Sequence, residues 1–130
     1  MATRVTATWS QGLAFSLEVR GHKLISDLPP EKGGEDQGPT PPELLLAALA
    51  ACSGMFAAMF AQREGISPEG ITTVAEAETA SSPMRLENFR VRVKFPHLPQ
   101  EKQAKALAFM EGCLVGNTLK AKNQVEISLE

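Results

Sequence analysis

The stretch TPPELLLAALAACSGMFAAMFA spans residues 40–61 and decides the fold of this chain. No charged side chain occurs between Leu44 and Ala61. A run of this length and composition predicts a helix, and a helix that is apolar on every side must be buried on every side. The sequence therefore predicts a central helix covered by other elements, with Cys52 in a dry and packed position.

Both ends of this helix carry local signals. Thr40 and Glu43 have the spacing of a capping box, and Pro41 occupies the first helical position. Gly65 stands where a left-handed glycine usually ends a helix. The helix is long enough to raise the question of a membrane span. We expect no membrane, because the rest of the chain reads as sheet that needs a helix to cover.

Composition narrows the class of protein. The chain has 130 residues, 43% of them hydrophobic, and a net charge of −2 with acidic and basic residues well mixed. These values predict one domain over residues 1–130 and no nucleic-acid partner. No signal-peptide pattern opens the sequence, which predicts a cytoplasmic protein whose thiols stay reduced unless redox chemistry is their function.

The flanking sequence predicts strands and a second helical region. Alternation of apolar and polar residues marks the strands. A loop over 28–41 separates the third strand from the first helix, and a helical region from Gln100 to about Leu119 is interrupted at Gly112. The order is β-β-β-α-β-β-α-β, an α+β fold of antiparallel sheets around two long helices. The predicted strands are 3–9, 13–19, 23–26, 70–79, 86–95 and 124–129.

One helix cannot bury all of its faces inside so small a domain. Part of its surface must therefore meet a partner, most simply a second copy of the chain. The sequence thus predicts a homodimer with the helix 44–61 near the subunit boundary.

The two cysteines, Cys52 and Cys113, allow three interpretations. They are two buried thiols that pack like small hydrophobes, or a redox pair in which one thiolate is oxidised to a sulfenic acid that condenses with the other thiol, or ligands of zinc together with His22 and His97. No zinc-finger spacing occurs, so neither a metal nor a cofactor is expected. The redox interpretation requires a nearby cation to lower a thiol pKa.

Arg20 is the first candidate for that cation, because it lies in a turn after an apolar strand, and Arg4 is the second. Arg63 and Arg85 read as surface charges. Glu43 is the acid nearest to Cys52 on the same helix, but nine residues are about two and a half turns, which places the two side chains on opposite sides. For Glu43 the capping role is favoured over a catalytic one.

Two segments resemble the motifs of a known family. Residues 38–52, GPTPPELLLAALAAC, resemble the first cysteine motif of the OsmC/Ohr family, the osmotically inducible and organic hydroperoxide resistance proteins. Residues 113–119, CLVGNTL, resemble the second. The chain departs from the peroxidase members at Pro42, where they have a catalytic Glu, and at Leu114, where they have Pro. It is closer to the OsmC-like branch.

The resemblance implies an intertwined α+β homodimer with its active sites at the subunit interface. It implies a thiol peroxidase of peroxiredoxin-like activity, in which Cys52 attacks an organic hydroperoxide or another electrophile and Cys113 resolves the product. A dithiol reductant, of the dihydrolipoyl type in some members, would restore the thiols. Arg20 falls one residue from the family's arginine, and Glu43 next to its glutamate. The alternatives are a small-molecule-binding or stress protein without catalysis, and a thiol enzyme acting on another electrophile.

Overall fold

The fold is α+β, as the sequence predicts. The computed structural model describes residues 2–130. Two short 3₁₀ turns lie at Pro30–Lys32 and Gln100–Lys102. The strands and helices, in chain order, are β1 Thr6–Gln11, β2 Ala14–Val19, β3 His22–Ser26, α1 Pro41–Glu64, β4 Thr72–Ala80, β5 Arg85–Lys94, α2 Gln103–Met110 and α3 Leu114–Lys120.

The chain divides into two compact units, one ending at Leu45 and the other spanning Leu46–Glu130. The first unit is an antiparallel sheet in the order β1-β2-β3. Trp9 pairs with Phe15, and Phe15 pairs with Ser26, so these side chains share one face of the sheet. The unit also contains the start of α1, where the Thr40 hydroxyl and the Glu43 carboxylate form the predicted capping box.

The loop after β3 is fastened by one buried carboxylate. Asp27 is 3% exposed and accepts hydrogen bonds from the backbone N–H groups of Leu28 (2.7 Å), Glu35 (3.2 Å) and Gln37 (3.2 Å). A Cβ atom at Gly34 would lie 1.9 Å from the Leu28 carbonyl oxygen, so only glycine fits there. The loop is thus held by backbone hydrogen bonds and close backbone contact.

The second unit is built around α1 and the hairpin of β4 and β5. The Thr73 hydroxyl on β4 donates to the Ala50 carbonyl oxygen on α1 at 2.8 Å. Phe60, which is 2% exposed, packs with its ring centroid 5.9 Å from that of Phe109 on α2. The predicted inward and outward alternation along β5 is confirmed, since Arg90 and Arg92 are exposed.

Two details of the sequence prediction are wrong for the described residues. The second helical region is not one long helix but two short ones, because the chain turns at residues 111–113. Residues 124–129 form no strand, because no neighbouring strand satisfies their backbone. Helix α1 is covered on one side only within the chain, as expected for a helix whose surface is shared with a partner: Met55 and Met59 remain 63% and 41% exposed.

Length and composition alone would allow α1 to cross a membrane, and 28% of its most apolar window is buried. The covered face carries the buried residues Leu49, Ser53, Ala57, Phe60 and Ala61. The opposite face is apolar and open, which is the surface that the sequence assigns to a partner.

Candidate thiol site

The two cysteines are brought together in the second unit. Cys52 lies in the middle of α1, and Cys113 precedes the first residue of α3. Both are free thiols, and they are close enough for each to shift the pKa of the other. The two cysteines are 61 positions apart in sequence. They meet because the chain returns through α2 to the middle of α1.

Cys113 occupies the N-cap position of α3. Its Sγ accepts the backbone N–H of Gly116 at 3.4 Å, as a Ser or Thr oxygen does in an ordinary cap. The hydroxyl of Ser53, on α1, donates to the same sulfur at 4.0 Å. The side chain is 4% exposed. Cys113 is therefore a buried sulfur surrounded by donors.

These donors shift the Cys113 pKa. Burial raises the pKa of the thiol, because it disfavours the thiolate. Hydrogen bonds from the Cys52 thiol, the Gly116 N–H, the Ser53 hydroxyl and the Val115 N–H favour the thiolate and lower the pKa. Their combined effect exceeds that of burial, and the Cys113 pKa lies below its ordinary value.

The pKa of Cys52 shifts in the opposite direction. Burial raises it, and donation of the Cys52 S–H to the Cys113 sulfur raises it further. The N–H groups of Val115 and Leu114 oppose this and are outweighed. Within residues 2–130, none of the groups that shift the Cys52 pKa is a cation. Cys113 is therefore the more acidic thiol of the pair, and Cys52 keeps its proton to a higher pH than Cys113 does.

An apolar cavity of about 470 Å³ lies beside the thiols, inside the second unit. Cys113 and Ser53 are in its wall, whereas Cys52 is not. Two charged side chains, Glu111 and Lys120, also line it. The apolar part of the wall comes from β5 and the helices: Leu49, Phe89, Val91, Val93, Leu107, Met110 and Leu119.

Arg20 and Glu43, the other two predicted site residues, belong to the first unit. Arg20 begins the two-residue turn between β2 and β3 with φ +50°, a left-handed conformation that is uncommon outside glycine. Glu43 is engaged in the capping box, where its carboxylate accepts the Thr40 N–H at 2.8 Å. Whether either residue serves the thiols remains a prediction.

Ser53 and Gly116 are site residues that the sequence analysis missed. A serine within an otherwise apolar helix is itself a signal, because a buried hydroxyl needs a partner. Gly116 acts through its backbone N–H, which no side-chain pattern reveals. Lys120 was also missed, since it reads as an ordinary basic residue in the last turn of a helix.

Comparison with known proteins places this arrangement in a family. The OsmC-like protein family model matches residues 34–129. No curated protein matches the chain significantly. Among solved structures, an organic hydroperoxide resistance protein OsmC from Legionella pneumophila, also described as a predicted redox protein, is 25% identical, with a TM-score of 0.66 over 92% of this chain and 90% of that one.

Two more distant structures share the fold. A protein from Psychrobacter arcticus, assigned provisionally to osmotic stress and detoxification, has a TM-score of 0.80 at 22% identity, over 91% of this chain and 88% of that one. An organic hydroperoxide resistance protein from Elizabethkingia anophelis has a TM-score of 0.71 at 17% identity, over 92% and 89%. With the family match covering most of its length, the chain belongs to the OsmC-like family.

Proposed function

We propose that this protein reduces organic hydroperoxides through the thiol pair Cys52 and Cys113. The observation that carries the proposal is the proximity of the two thiols, with Cys113 in the wall of an apolar cavity. Two thiols that meet in a chain with no other cysteine are placed for disulfide formation. The organic hydroperoxide resistance proteins among the structural neighbours support the same chemistry.

The proposed reaction is balanced by the two thiols alone. The Cys52 thiolate attacks one oxygen of the hydroperoxide, the O–O bond breaks, and the alcohol leaves with a proton. The Cys113 sulfur then attacks the sulfur of the resulting sulfenic acid, the S–O bond breaks as the disulfide forms, and the leaving hydroxide takes up the proton of the Cys113 thiol to become water. An external dithiol reductant then returns both cysteines to thiols by exchange.

This order of attack requires a change at Cys52. The thiolate is the nucleophile, and in the chain described above burial and Cys113 raise the Cys52 pKa. A cation beside Cys52 would stabilise its thiolate and lower the Cys52 pKa. We propose Arg20 for this role, with Arg4 as the second choice.

The homodimer is part of the proposal. The open face of α1 carries Ala48, Ala51, Met55 and Met59 at intervals of three and four residues, and all four are exposed. An apolar seam with this spacing is the pattern by which helices pack together. A second copy would cover it and would exclude water from the neighbourhood of Cys52. We place the dimer in the cytoplasm, where a dithiol reductant is at hand.

The test is a count of thiols. One equivalent of cumene hydroperoxide should consume both cysteines and yield one intramolecular disulfide, identified by mass spectrometry after tryptic digestion. Hydrogen peroxide should react more slowly, because it gains nothing from an apolar cavity. Cys52→Ser should not react above background, whereas Cys113→Ser should stop at a sulfenic acid. Full retention of both thiols under these conditions would overturn the proposal.

A second candidate is a binding protein that performs no catalysis. The raised pKa of Cys52, together with an apolar cavity that this sulfur does not line, favours it. The two functions differ in the alkylation profile of Cys52. A midpoint below the ordinary thiol value supports the peroxidase, and a midpoint above it in the assembled protein supports the binding protein.

A further inference from the structure

Ser53 interrupts the apolar run of α1 with a buried hydroxyl. The serine is 8% exposed and follows Cys52 directly in the sequence. A buried hydroxyl needs a hydrogen-bond partner, and a serine inside a helix often uses the carbonyl oxygen four residues earlier. Among residues 2–130, the Ser53 hydroxyl donates to one acceptor, the Cys113 sulfur at 4.0 Å. The hydroxyl is therefore directed at the thiol site and not at the backbone of its own helix.

The Cys113 sulfur lies between the first turn of α3 and the middle of α1. On the α3 side it accepts the Gly116 N–H at 3.4 Å. A Cβ atom at Gly116 would lie 3.8 Å from this sulfur and 3.8 Å from a methyl group of Leu49, so α1 and α3 meet here. On the α1 side the donor is Ser53. The sulfur of Cys113 is thus held from the same helix that carries the other thiol.

The two sulfurs differ in their access to an attacking thiol. Cys52 is half-buried, whereas Cys113 is 4% exposed. In thiol–disulfide exchange the attacked sulfur must be reachable, and the other sulfur leaves faster when its thiolate is better stabilised. Two donors, Ser53 and Gly116, already bond to the Cys113 sulfur. Both conditions therefore favour attack on Cys52 and departure of Cys113.

We propose that Ser53 is a positioning residue for Cys113, whose hydroxyl stabilises the Cys113 thiolate as it leaves when a dithiol reductant opens the disulfide at Cys52. This inference rests on the Cys52–Cys113 disulfide of the proposed function and adds the direction in which that disulfide is reduced. The Ser53 hydroxyl keeps its proton throughout, because it acts on the sulfur by hydrogen bonding.

The reduction is balanced in two exchanges. One thiolate of the reductant attacks the Cys52 sulfur, the S–S bond breaks, and the electron pair leaves with Cys113. The second thiol of the reductant then loses its proton and attacks the reductant sulfur of the mixed disulfide, which frees Cys52. The two protons of the reductant thiols return to Cys52 and Cys113. The reductant ends as a cyclic disulfide, oxidised by two electrons, and the protein pair is reduced by two.

Other ionisable groups lie near Cys113 on the elements packed around it. The Cys52 thiol faces it from α1, and Glu111 and Lys120 line the same cavity. The residues that β5 and α2 add to the wall of that cavity are uncharged. All of these groups are the same in a Ser53 variant and in its parent. A difference between the two Cys113 titrations therefore reports the hydroxyl.

The first test titrates Cys113 alone. In a Cys52→Ser background, Cys113 is the single thiol, and the ultraviolet absorbance of its thiolate can be followed because the chain has no tyrosine. Addition of Ser53→Ala should raise the Cys113 pKa by about 0.5–1, the size of one hydrogen bond. Ser53→Thr keeps the hydroxyl and should restore the parent value. An unchanged titration in Ser53→Ala would overturn the proposal.

Thr73→Val is the matched control for a merely structural effect. The Thr73 hydroxyl also bonds to α1, but its acceptor is the Ala50 carbonyl oxygen and not a sulfur. Its loss removes a hydrogen bond from the same helix and should leave the Cys113 titration unchanged. If Thr73→Val shifts the titration as much as Ser53→Ala does, the shift reports a general disturbance of α1, and the proposal is overturned.

The second test examines the disulfide itself. Diamide forms the disulfide, 2-mercaptoethanol opens it, and peptide mass spectrometry after acid quenching locates the mixed disulfide. We expect the mixed disulfide on Cys52, and its presence on Cys113 would overturn the proposal. Reduction by dithiothreitol should be at least about twofold slower in Ser53→Ala than in Thr73→Val. Equal rates in these two variants would also overturn it.

The outcomes separate this inference from the proposed function, because diamide forms the disulfide without a hydroperoxide. If both tests give the expected results but cumene hydroperoxide leaves both thiols intact, the peroxidase proposal falls and the role of Ser53 stands. If the hydroperoxide consumes both thiols but Ser53→Ala titrates like its parent, the peroxidase proposal stands and the role of Ser53 falls. Failure of diamide to form the disulfide would overturn both.

Discussion

The two compact units of this chain are stabilised in different ways. The unit up to Leu45 buries few residues, among them Asp27 and Ser26, and both are polar groups that hold backbone. The unit from Leu46 onward buries Phe60, Ala57 and Ala61, and the Phe60 ring packs against that of Phe109 on α2. The first is held by hydrogen bonds and turns, and the second by side-chain packing.

This difference indicates which exposed surfaces are candidates for contact with a partner. The sheet of the first unit leaves Trp9, Phe15 and Leu24 between 39% and 61% exposed, so its apolar face is open. An open face of this size marks an interaction surface more often than an isolated apolar residue does. In the second unit, exposed apolar side chains lie on one side of α1 and along the C-terminal segment, and others are scattered at Val74, Met84, Leu107 and Leu114.

The largest effect that we expect is in the packed unit. Phe60→Ala removes a fully enclosed ring and should lower the free energy of unfolding by about 3–5 kcal/mol. Met84, at the hairpin turn, is 76% exposed, and Met84→Ala should change it by less than about 0.5 kcal/mol. Urea unfolding followed by circular dichroism measures both. If Phe60→Ala lowers the free energy of unfolding only slightly, this unit is not stabilised by its core.

The sequence predicted those parts of the fold that depend only on residues close together in the chain, such as the two ends of α1. The start of α1 followed from Thr40 and Glu43, and its end from Gly65, which adopts φ +68°. The exposure of Met55 was not predictable from a single chain, because the periodicity of an apolar helix does not say whether its own domain or a partner covers it.

The candidate site was predictable only in part. Cys52 and Cys113 were identified, but the direction of their pKa shifts depends on Ser53 and the N–H of Gly116, which reach the sulfurs through tertiary structure. Asp27 escaped notice because two of its three partners lie eight and ten residues further along the chain.

The second prediction asks whether the turn-stabilised unit serves the thiols of the packed one. Arg20→Asn removes the guanidinium, and Asn before glycine suits a tight turn with positive φ at both positions. If Arg20 is the cation of the proposed site, the Cys52 pKa should rise. Hydroperoxide consumption at fixed pH should then slow about tenfold if that pKa rises by about one, because the thiolate fraction falls by the same factor. Iodoacetamide labelling against pH, with peptide mass spectrometry, reads this out.

Arg20→Lys is the matched control. It keeps a positive charge at position 20 and should retain most of the lowering of the Cys52 pKa. Melting should be unchanged or slightly raised in Arg20→Asn. If the pH dependence of Cys52 labelling is unchanged in Arg20→Asn, Arg20 is not the cation. If it is unchanged in Arg4→Gln as well, the binding protein becomes the better supported function.

The third prediction concerns the loop latch of the first unit, the Asp27 carboxylate with its three backbone donors. Asp27→Asn substitutes an NH₂ group for one acceptor oxygen, and that group cannot accept the N–H groups of Glu35 and Gln37. Their amide exchange should become about tenfold faster, the size of a lost hydrogen bond to a charged group. Asp36→Asn, at an exposed position of the same loop, should have no such effect. If the amides of Glu35 and Gln37 exchange at the same rate in the parent, in Asp27→Asn and in Asp36→Asn, Asp27 does not hold the loop.

The latch also makes a prediction about acid. The backbone N–H of Leu28 lowers the Asp27 pKa, burial opposes it, and the N–H groups of Gln37 and Glu35 add to the lowering, so the pKa lies below the ordinary 3.8. The stabilisation is therefore complete above that value and is lost as the pH falls through the lower folded pKa. Parent and Asp27→Asn should converge in urea stability in that acidic range and differ at neutral pH.

The smallest effect belongs to Glu43, where the two units share a helix. The Thr40 N–H, followed by the Thr40 hydroxyl, lowers the Glu43 pKa, which is the signature of a cap. Thr40→Ala should cost about 1 kcal/mol, whereas Glu43→Gln should be milder, since Gln also serves at this position. Hydroperoxide consumption should stay at the parent rate in both. A large rate defect in a fully stable Glu43→Gln would instead place Glu43 among the residues that act on Cys52, and the capping box would then be only half of its role.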